Sequence, residues 1–433
     1  MRRLTAVLIV LFLLLPCTDA LAAESYVLRT GGSAVLADAE GNLLVSAGVY
    51  SDMIRLSDDD LFAASPVSST QYGLISGDGL ALTEFVYDSL SFDGESVIFS
   101  QDGLFGAMDA QGHIKIEARY TRLVSMGEGA FLALKSDPLD DSPDVLYAVT
   151  EDGDESTTGI RLSYGPFSAG EGLSVAVAQS GLYGYLNAEG QWTIEAQFTW
   201  ADTMRHGCAR VSTQDGMGLI GSDGTWLIEP RDGRLIVSGK AEDAPVLCVD
   251  EGGVSLLSAS DGTEIKRFEG ALNAVFTGSS ICIEGENSVF LTDYDGNILF
   301  EGIEGVESVT ELDGYVIERL STEADQPFVL LDSDGTEIGR WQELTFAGRY
   351  NDTIYAAFST YDTESVDMGG MTFRDEVSGS RRYGLIDMTG RVVIDNLTSL
   401  KATGRALLTA ETDDWIGLIH PDGTIVIKLD KEE

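Results

Sequence analysis

The residues best suited to acid–base or metal chemistry are scarce in this sequence. Its only histidines are His113, His206 and His420, which lie far apart along the chain. A nucleophile–histidine triad needs a histidine beside the nucleophile, and a zinc site needs closely spaced His or Cys ligands. Neither a His-Glu-x-x-His nor a Cys-x-x-Cys motif occurs in the sequence. We therefore expect all three histidines to be structural or surface residues.

The cysteines also lack the spacing of a reactive site. Apart from Cys17 near the N-terminus they are Cys208, Cys248 and Cys282, an odd number that allows at most one internal disulfide. Apolar residues flank them, as in Val246-Leu247-Cys248-Val249. An unpaired cysteine between apolar residues behaves as a small hydrophobic side chain. The sequence therefore predicts buried thiols in strands, without a redox or metal role.

Carboxylates are abundant, but their spacing does not form a site. Asp293-Tyr-Asp295-Gly296 and Asp332-Ser-Asp334-Gly335 resemble the start of a calcium loop. An EF-hand loop also needs a third ligand and a closing Glu at fixed spacing, and both are missing. A glycosidase would need two opposed carboxylates, and no pair stands out. The sequence therefore predicts no catalytic residue, no cofactor-binding residue, no metal ligand and no enzymatic activity.

The acidic turns belong to an internal repeat, which is the strongest signal in the sequence. Six of them read Asp/Asn-x-x-Gly, in which the Asx side chain accepts a hydrogen bond from the turn and Gly takes the left-handed conformation. The spacing averages about 38 residues, with one long gap of 55 residues before Gly390. Turn glycines recur at Gly41, Gly79, Gly112, Gly153, Gly190, Gly224, Gly262, Gly296, Gly335, Gly390 and Gly423.

Short apolar runs flank each turn and predict β-hairpins. Tyr183-Gly-Tyr-Leu-Asn187 precedes one turn, and Gln191-Trp-Thr-Ile-Glu195 follows it. Runs of this kind are rich in β-branched and aromatic residues and are bounded by turn formers, as strands are. No stretch of eleven or more residues after the N-terminal segment shows helical spacing. The predicted fold class is all-β.

The repeating unit resembles the WG repeat family. An aromatic residue, Gly, two apolar residues, a polar turn with Gly and an apolar strand follow one another, best between residues 72 and 230 and again from 383 to 430. The aromatic-Gly pairs are Tyr72-Gly73, Phe105-Gly106, Tyr183-Gly184 and Tyr383-Gly384. Met217-Gly218 and Ile416-Gly417 keep only the glycine, and the units around Gly262, Gly296 and Gly335 keep only the hairpin. The resemblance implies a repeat architecture and little about function.

Four short strands in about 38 residues is the size of a β-propeller blade. One unit cannot bury its apolar face alone, so about eleven units must stack over residues 23–433. One large ring, two tandem rings and an open β-superhelix all fit the sequence. The run Tyr26–Thr30 is predicted to complete the last blade and close a ring. The polar segment at about 359–382 explains the long gap, and we expect it to be an inserted loop without fixed structure.

The N-terminus predicts a signal peptide over residues 1–22. Arg2 and Arg3 precede an apolar run of about twelve residues, too short for a membrane span of about 20 residues. Ala20-Leu21-Ala22 fits a signal peptidase site, with cleavage after Ala22 or, as the alternative, after Ala23. Pro16 before Cys17 does not suit a lipobox, and the residues around the Arg pair do not match a twin-arginine signal. The expected location is extracytoplasmic: secreted from a bacterium or held in its envelope.

Net charge excludes several partners. The chain carries 27 Lys and Arg against 71 Asp and Glu, a net charge of −44. Such a field repels nucleic acids and anionic lipid headgroups. No segment after the signal peptide is predicted to insert into a membrane. The sequence thus predicts an exported, non-enzymatic binding or scaffold protein for an unknown protein or glycan. The alternatives are a propeller-type polysaccharide hydrolase that uses Asp/Glu catalysis and a calcium-dependent surface module.

Overall fold

The computed structural model describes residues 24–135, 144–238, 244–277, 280–286, 288–301, 306–320, 325–368 and 371–431. Over these residues the chain contains β-strands and turns but no helix, and hence no helix able to cross a membrane. All strand pairs are antiparallel, and most sheets have four strands. The all-β prediction is confirmed. The predicted signal peptide lies outside the described residues.

The strands group into eleven units, numbered 1 to 11 along the chain, one for each turn glycine. Two long strands serve two units each, namely β3 for units 1 and 2 and β13 for units 4 and 5. Units 1 and 2 contain β1 (Ser25–Thr30), β2 (Ser33–Asp38), β3 (Leu43–Arg55), β4 (Phe62–Pro66) and β5 (Gly73–Ile75). Units 3 and 4 contain β6 (Ser89–Phe92), β7 (Val97–Gln101), β8 (Leu104–Met108), β9 (Ile114–Tyr120), β10 (Arg122–Gly127), β11 (Ala130–Lys135), β12 (Val145–Thr150) and β13 (Glu155–Tyr164). Units 5 and 6 add β14 (Ala169–Gly170), β15 (Leu173–Ala178), β16 (Tyr183–Leu186), β17 (Trp192–Phe198), β18 (Trp200–Ala201), β19 (Cys208–Thr213), β20 (Gly216–Gly221) and β21 (Trp226–Arg231).

The remaining units follow the same order of four antiparallel strands. Units 7 and 8 contain β22 (Arg234–Ile236), β23 (Val246–Asp250), β24 (Gly253–Leu257), β25 (Glu264–Glu269), β26 (Asn273–Thr277), β27 (Ser280–Glu284), β28 (Val289–Thr292) and β29 (Ile298–Glu301). Unit 9 contains β30 (Val306–Leu312), β31 (Tyr315–Leu320), β32 (Phe328–Leu331) and β33 (Glu337–Trp341). Units 10 and 11 contain β34 (Glu343–Tyr350), β35 (Thr353–Thr360), β36 (Thr363–Met368), β37 (Met371–Glu376), β38 (Arg382–Asp387), β39 (Val392–Leu397), β40 (Ser399–Ala402), β41 (Leu408–Glu411), β42 (Trp415–Ile419) and β43 (Ile425–Asp430).

The turn glycine lies between the last two strands of its unit, except in unit 2, where Gly79 follows β5. All eleven have a positive φ, between +69° and +88°, the left-handed region that glycine enters without strain. The predicted hairpin positions are therefore confirmed in every unit. The strands differ in exposure: β24 is buried along its whole length, whereas β25 after the turn is mostly exposed. Strands covered on both faces explain the continuous apolar runs in the sequence.

A second glycine, in the aromatic-Gly pair, has a different role. A Cβ atom on Gly184 would lie 2.6 Å from the carbonyl oxygen of Ile194 and 2.7 Å from the backbone nitrogen of Ala196, and Gly384 is equally close to the Ile394 oxygen. In units 3, 5, 6 and 10 the fourth strand also carries extra residues, which shift the pairing at this point. Units 7, 8 and 9 have no glycine there and pair without this shift. Unit 11 keeps Gly417 in regular pairing.

Buried clusters join the units into a closed cycle. Each cluster combines residues of two consecutive units, as where Tyr185 of unit 5 packs with Met204 of unit 6. Ten such clusters link unit 1 through to unit 11. A further cluster joins the two ends, with Tyr26 and Leu28 of unit 1 against Leu418 of unit 11. The array is one β-propeller-like ring of eleven units, rather than two rings or an open superhelix.

The ring closes by packing and not by strand exchange. The predicted addition of Tyr26–Thr30 to the last blade is wrong, because β1 pairs with β2 in unit 1 and unit 11 is complete with β40 to β43. A buried carboxylate, Asp60, holds the junction. It accepts a hydrogen bond of 2.9 Å from the backbone N–H of Ser25 and forms ion pairs with Arg55 and, at 3.0 Å, with Arg405 of unit 11.

The insertion in unit 10 has regular structure. The pairing between β35 and β38 ends at Thr360 and Arg382, so the insertion comprises residues 361–381. It folds into a hairpin of β36 and β37, which pair with each other from Thr363 and Glu376 up to Met368 and Met371. The prediction of a loop without fixed structure is therefore wrong. Polar composition misled the prediction, because backbone pairing between two strands does not require apolar side chains.

Replacing Gly184 with Ala is expected to lower the free energy of unfolding by about 3 kcal/mol, because the new methyl group would collide with backbone atoms that cannot rotate away. Gly207→Ala is the matched control. Gly207 has φ +72° but open space around its Cβ position, so only backbone strain of about 1 kcal/mol applies. Urea unfolding of both variants measures the difference. Equal losses would contradict the close approach.

Arg405→Ala is expected to cost about 3 kcal/mol, because it leaves the buried Asp60 carboxylate short of one partner. Hydrogen exchange should accelerate in β1, β2, β41 and β42 while β27 and β28 stay protected. Arg391→Ala is the control, since Arg391 forms an exposed surface pair with Asp387 worth less than about 1 kcal/mol. Uniform acceleration through all units would refute a local closing contact.

Candidate functional site

The histidines are dispersed over three units. His113 is exposed and its Nδ1 lies 3.0 Å from the Asp109 carboxylate of its own turn. His206 is exposed in the turn before β19. His420 stacks on Tyr350 with 4.2 Å between ring centroids. The described residues contain no group of three His, Cys, Asp or Glu side chains placed to hold a metal ion.

The three cysteines are free thiols in separate strands, as the sequence predicts. Cys208, Cys248 and Cys282 are all buried. Burial raises the pKa of each thiol above its usual value, which keeps the group protonated. Cys208 and Cys248 pack in the same apolar cluster between units 6 and 7. They act as core side chains.

The turn carboxylates are occupied by their own turns. Asp293 Oδ1 accepts hydrogen bonds from the backbone N–H groups of Asp295 and Asn297, and its Oδ2 accepts one from the Asn297 side chain. These bonds, the Asn297 side-chain bond first, hold the pKa of Asp293 below its usual value. At Asp387, burial raises the pKa, but hydrogen bonds from Thr389 and Arg391 outweigh it and the pKa is lowered. The acidic character of the turns is therefore structural.

A cleft of about 830 Å³ crosses units 3 to 6 and is the strongest candidate binding site. Its lining includes Phe105, Phe167 and Tyr183, with Thr121, Ser168 and Thr203 adding hydroxyl groups. A second cavity of about 480 Å³ shares Thr121, Arg122 and Tyr164 with it and extends it on one side. We call the two together the aromatic cleft. Its lining combines aromatic and aliphatic side chains with hydroxyl and charged groups.

Two exposed aromatic side chains distinguish the aromatic cleft from the rest of the surface. Tyr164 is 59% exposed and Trp200 is 37% exposed. Every other large exposed hydrophobic side chain among the described residues is aliphatic. Both rings line the same cleft although 36 positions separate them in the sequence. Exposed aromatic residues that converge in a concave surface are typical of a recognition site.

An arginine side chain packs against the ring of Trp200. The guanidinium of Arg210 lies over its ring, 5.8 Å from the centroid. Arg210 is itself fixed, because its Nε and Nη2 donate to Asp202 Oδ2 at 3.2 and 2.7 Å and its Nη1 donates to the Leu235 carbonyl oxygen. The Asp202 carbonyl oxygen accepts a hydrogen bond from the buried Tyr185. The indole is thus supported before any ligand arrives, which lowers the entropic cost of binding.

Tyr164 is supported in a similar way. The guanidinium of Arg122 lies 5.6 Å from its ring centroid, and the Phe167 ring contacts it edge-on at 5.3 Å. Arg122 donates a long hydrogen bond of 3.5 Å to the Pro166 carbonyl oxygen. No carboxylate forms an ion pair with Arg122 among the described residues.

The repeat explains why these residues meet. Arg122 and Trp200 each begin the first strand of a unit, two residues after a buried aromatic, Tyr120 or Phe198, that ends the preceding unit. Arg122 belongs to unit 4 and Trp200 to unit 6, and unit 5, which contributes Tyr164 and Tyr183, lies between them in the ring. The sequence does not identify these residues as a site, because Trp200 resembles the many other aromatic residues in predicted strands. One signal was available in the sequence. The repeat position of Trp200 is occupied by Ser89 and Ser399 in other units, so a large aromatic residue there is unusual.

Residues 183–216 match the family model described as WG containing repeat. This confirms the resemblance expected from the sequence over that range. The match runs from Tyr183 of unit 5 to the start of β20 in unit 6, so one sequence repeat contributes strands to two sheets. It includes Trp200 and Asp202 of the aromatic cleft.

No curated protein matches the sequence. Among solved structures, BamB from Moraxella catarrhalis is 13% identical, with a TM-score of 0.32 over 72% of this chain and 94% of that chain. A eukaryotic initiation factor is 10% identical, with a TM-score of 0.39 over 95% and 97%. Dihydro-heme d1 dehydrogenase NirN is 13% identical, with a TM-score of 0.32 over 79% and 74%. These scores are too low to support a functional comparison.

Asp293→Asn is expected to destabilise the chain at neutral pH, because the amide is a weaker acceptor for the three turn donors. A carboxylate whose pKa is lowered by folding stabilises above its usual pKa, and that contribution is lost as the pH falls through the folded value. The difference between the two proteins should therefore shrink below pH 3.8. Urea midpoints at neutral and acid pH measure it. A difference that is constant with pH would contradict the assignment.

Proposed function

We propose that this chain, one segment of which is a WG containing repeat, is an exported, non-enzymatic scaffold that binds a protein or glycan partner in its aromatic cleft. The observation that carries the proposal is the convergence of Tyr164 and Trp200, each supported by an arginine, in one cleft of about 830 Å³. Preformed aromatic surfaces provide large contact area at low entropic cost.

The carboxylates of the cleft support binding rather than hydrolysis. Asp202 lines the cleft, and its Oδ2 is engaged by Arg210 at 2.7 Å. Asp144 lines the adjoining cavity, and its Oδ2 accepts a hydrogen bond from Thr121. A glycosidase pair needs one carboxylic acid that donates a proton and one carboxylate that is free to act as nucleophile or base. An ion-paired Asp202 is poorly suited to the first role.

Export is supported by the N-terminal segment 1–22 and agrees with the surface chemistry of the chain. A net charge of −44 keeps a protein soluble and separate from anionic lipid surfaces and nucleic acids. The buried thiols need no partner cysteine for folding in an oxidising compartment. We place the protein in the secreted fraction or the envelope of a bacterium.

The test is binding of residues 23–433 to glycan and peptide arrays. Trp200→Ala and Tyr164→Ala should each weaken the signals given by the unmodified chain at least about tenfold, because each removes an exposed aromatic contact surface. Leu272→Ala is the control, since Leu272 is 64% exposed and lies outside the cleft. Thermal melting checks that the variants fold. Signals that survive both cleft substitutions would refute the proposed site.

A further inference from the structure

A second cleft, of about 690 Å³, crosses units 9 to 11. It is built from the repeat positions that form the aromatic cleft. Phe328 and Tyr383 correspond to Phe105 and Tyr183, because each pairs with the last residue of the fourth strand of its unit. Gln342 and Glu343 take the places of Thr121 and Arg122 between two units. Several repeat positions of the aromatic cleft therefore recur in the second cleft, where the two corresponding aromatic residues come from adjacent units.

The second cleft also has a supported aromatic ring. Tyr361, at the start of the insertion, lines it, and the guanidinium of Arg381 lies 4.4 Å from the ring centroid. Arg381 ends the insertion and forms ion pairs with Glu343 and Glu376. Tyr361 is further tied to Gln342 by two hydrogen bonds of 2.8 Å through its backbone. An arginine-backed aromatic ring is thus present in both clefts.

Charge limits what the two clefts can hold. The chain has a net charge of −44, but most charged groups of the two clefts are engaged by neighbours: Asp202 pairs with Arg210, Glu343 with Arg381, and Arg319 of the second cleft with Glu307. Asp144 accepts a hydrogen bond from Thr121. A cationic peptide would find these carboxylates already engaged, and an anionic polymer would be repelled by the surrounding surface. The lining fits a neutral ligand.

The shape and polarity of the lining favour sugar rings. A pyranose has an apolar C–H face that stacks on an aromatic ring and hydroxyl groups around its edge. The aromatic cleft provides Tyr164 and Trp200 for the faces and Thr121, Ser168 and Thr203 for hydroxyls. The second cleft provides Tyr361, with Ser308, Thr310 and Thr345. A proline-rich peptide would also stack, but it would leave many of these hydroxyls without partners.

We infer that the two clefts are two sites for one neutral polysaccharide, whose repeating sugars occupy both. The inference rests on the proposed function of the aromatic cleft and adds its ligand class and a second site. The clefts lie five units apart in a ring of eleven, so they stand on nearly opposite sides. A polymer long enough to reach both is held by both, and its apparent affinity exceeds that of either site by about 100-fold.

The experiment uses the chain 23–433 and three variants: Trp200→Ala, Tyr361→Ala and the double substitution. Native gels containing soluble starch, laminarin, hydroxyethylcellulose or galactomannan identify a retarding polysaccharide, with polygalacturonate as the anionic comparison. Calorimetry with the hexasaccharide of the retarding polymer then counts sites. We expect two sites in the parent, one in each single variant and none in the double variant. Either single substitution should weaken binding of the long polymer about 100-fold.

Three results would overturn the inference. One is the absence of retardation by all four neutral polysaccharides, and another is equal retardation by polygalacturonate. The third is a single site that Tyr361→Ala leaves unchanged. Leu272→Ala and thermal melting separate these outcomes from loss of fold. Cleft-dependent peptide binding on the arrays without polysaccharide binding would refute the sugar ligand while leaving the scaffold function in place.

Discussion

In most units the inner strands carry consecutive buried residues, as β11, β15 and β24 do, and no sheet can cover both faces of such strands by itself. Each sheet in this ring depends on the sheet before it and the sheet after it, so the first and last units must meet if neither is to expose an apolar face. Tyr26 and Leu28 against Leu418 provide that contact. Asp60 then joins three separate parts of the chain, through Ser25, Arg55 and Arg405, at the same junction. Burying a carboxylate is costly, and its three partners offset that cost only when the ends are in place.

The parts of the fold that depend on local chemistry could be predicted from the sequence. The left-handed turn at Gly190 and the close backbone contact at Gly184 both require glycine, so the residue type itself indicates them. Ring closure depends instead on the small rotation between each sheet and the next, summed over eleven sheets. No single residue type indicates that rotation. The role of Tyr26–Thr30 was misassigned for that reason. The cleft was missed because the exposure of Trp200 and Tyr164 is set by neighbouring units, and a strand aromatic is usually buried.

The arginines show how a strongly acidic chain compensates the carboxylates of its two clefts. With few cations, the chain places several of them over aromatic rings, as Arg210 over Trp200 and Arg381 over Tyr361. In this position each arginine compensates a nearby carboxylate and supports a ring at the same time. The result is a pair of clefts whose local charge differs from that of the surrounding surface. Specificity for an uncharged partner can therefore coexist with a net charge that prevents non-specific association.

The strand β13 gives the aromatic cleft a mechanical property. It pairs with β12 near Glu155 and with β15 near Tyr164, so one continuous backbone belongs to the sheets of both unit 4 and unit 5. Between the two pairings lies Gly159, which has a positive φ of +72° and open space around its Cβ position, and the pairing with β12 shifts its register at this point. The two units are therefore joined by backbone that continues through an irregular turn of the strand, with no loop between them. A movement of unit 4 against unit 5 would turn the strand at Gly159, and it would carry Tyr164 with it.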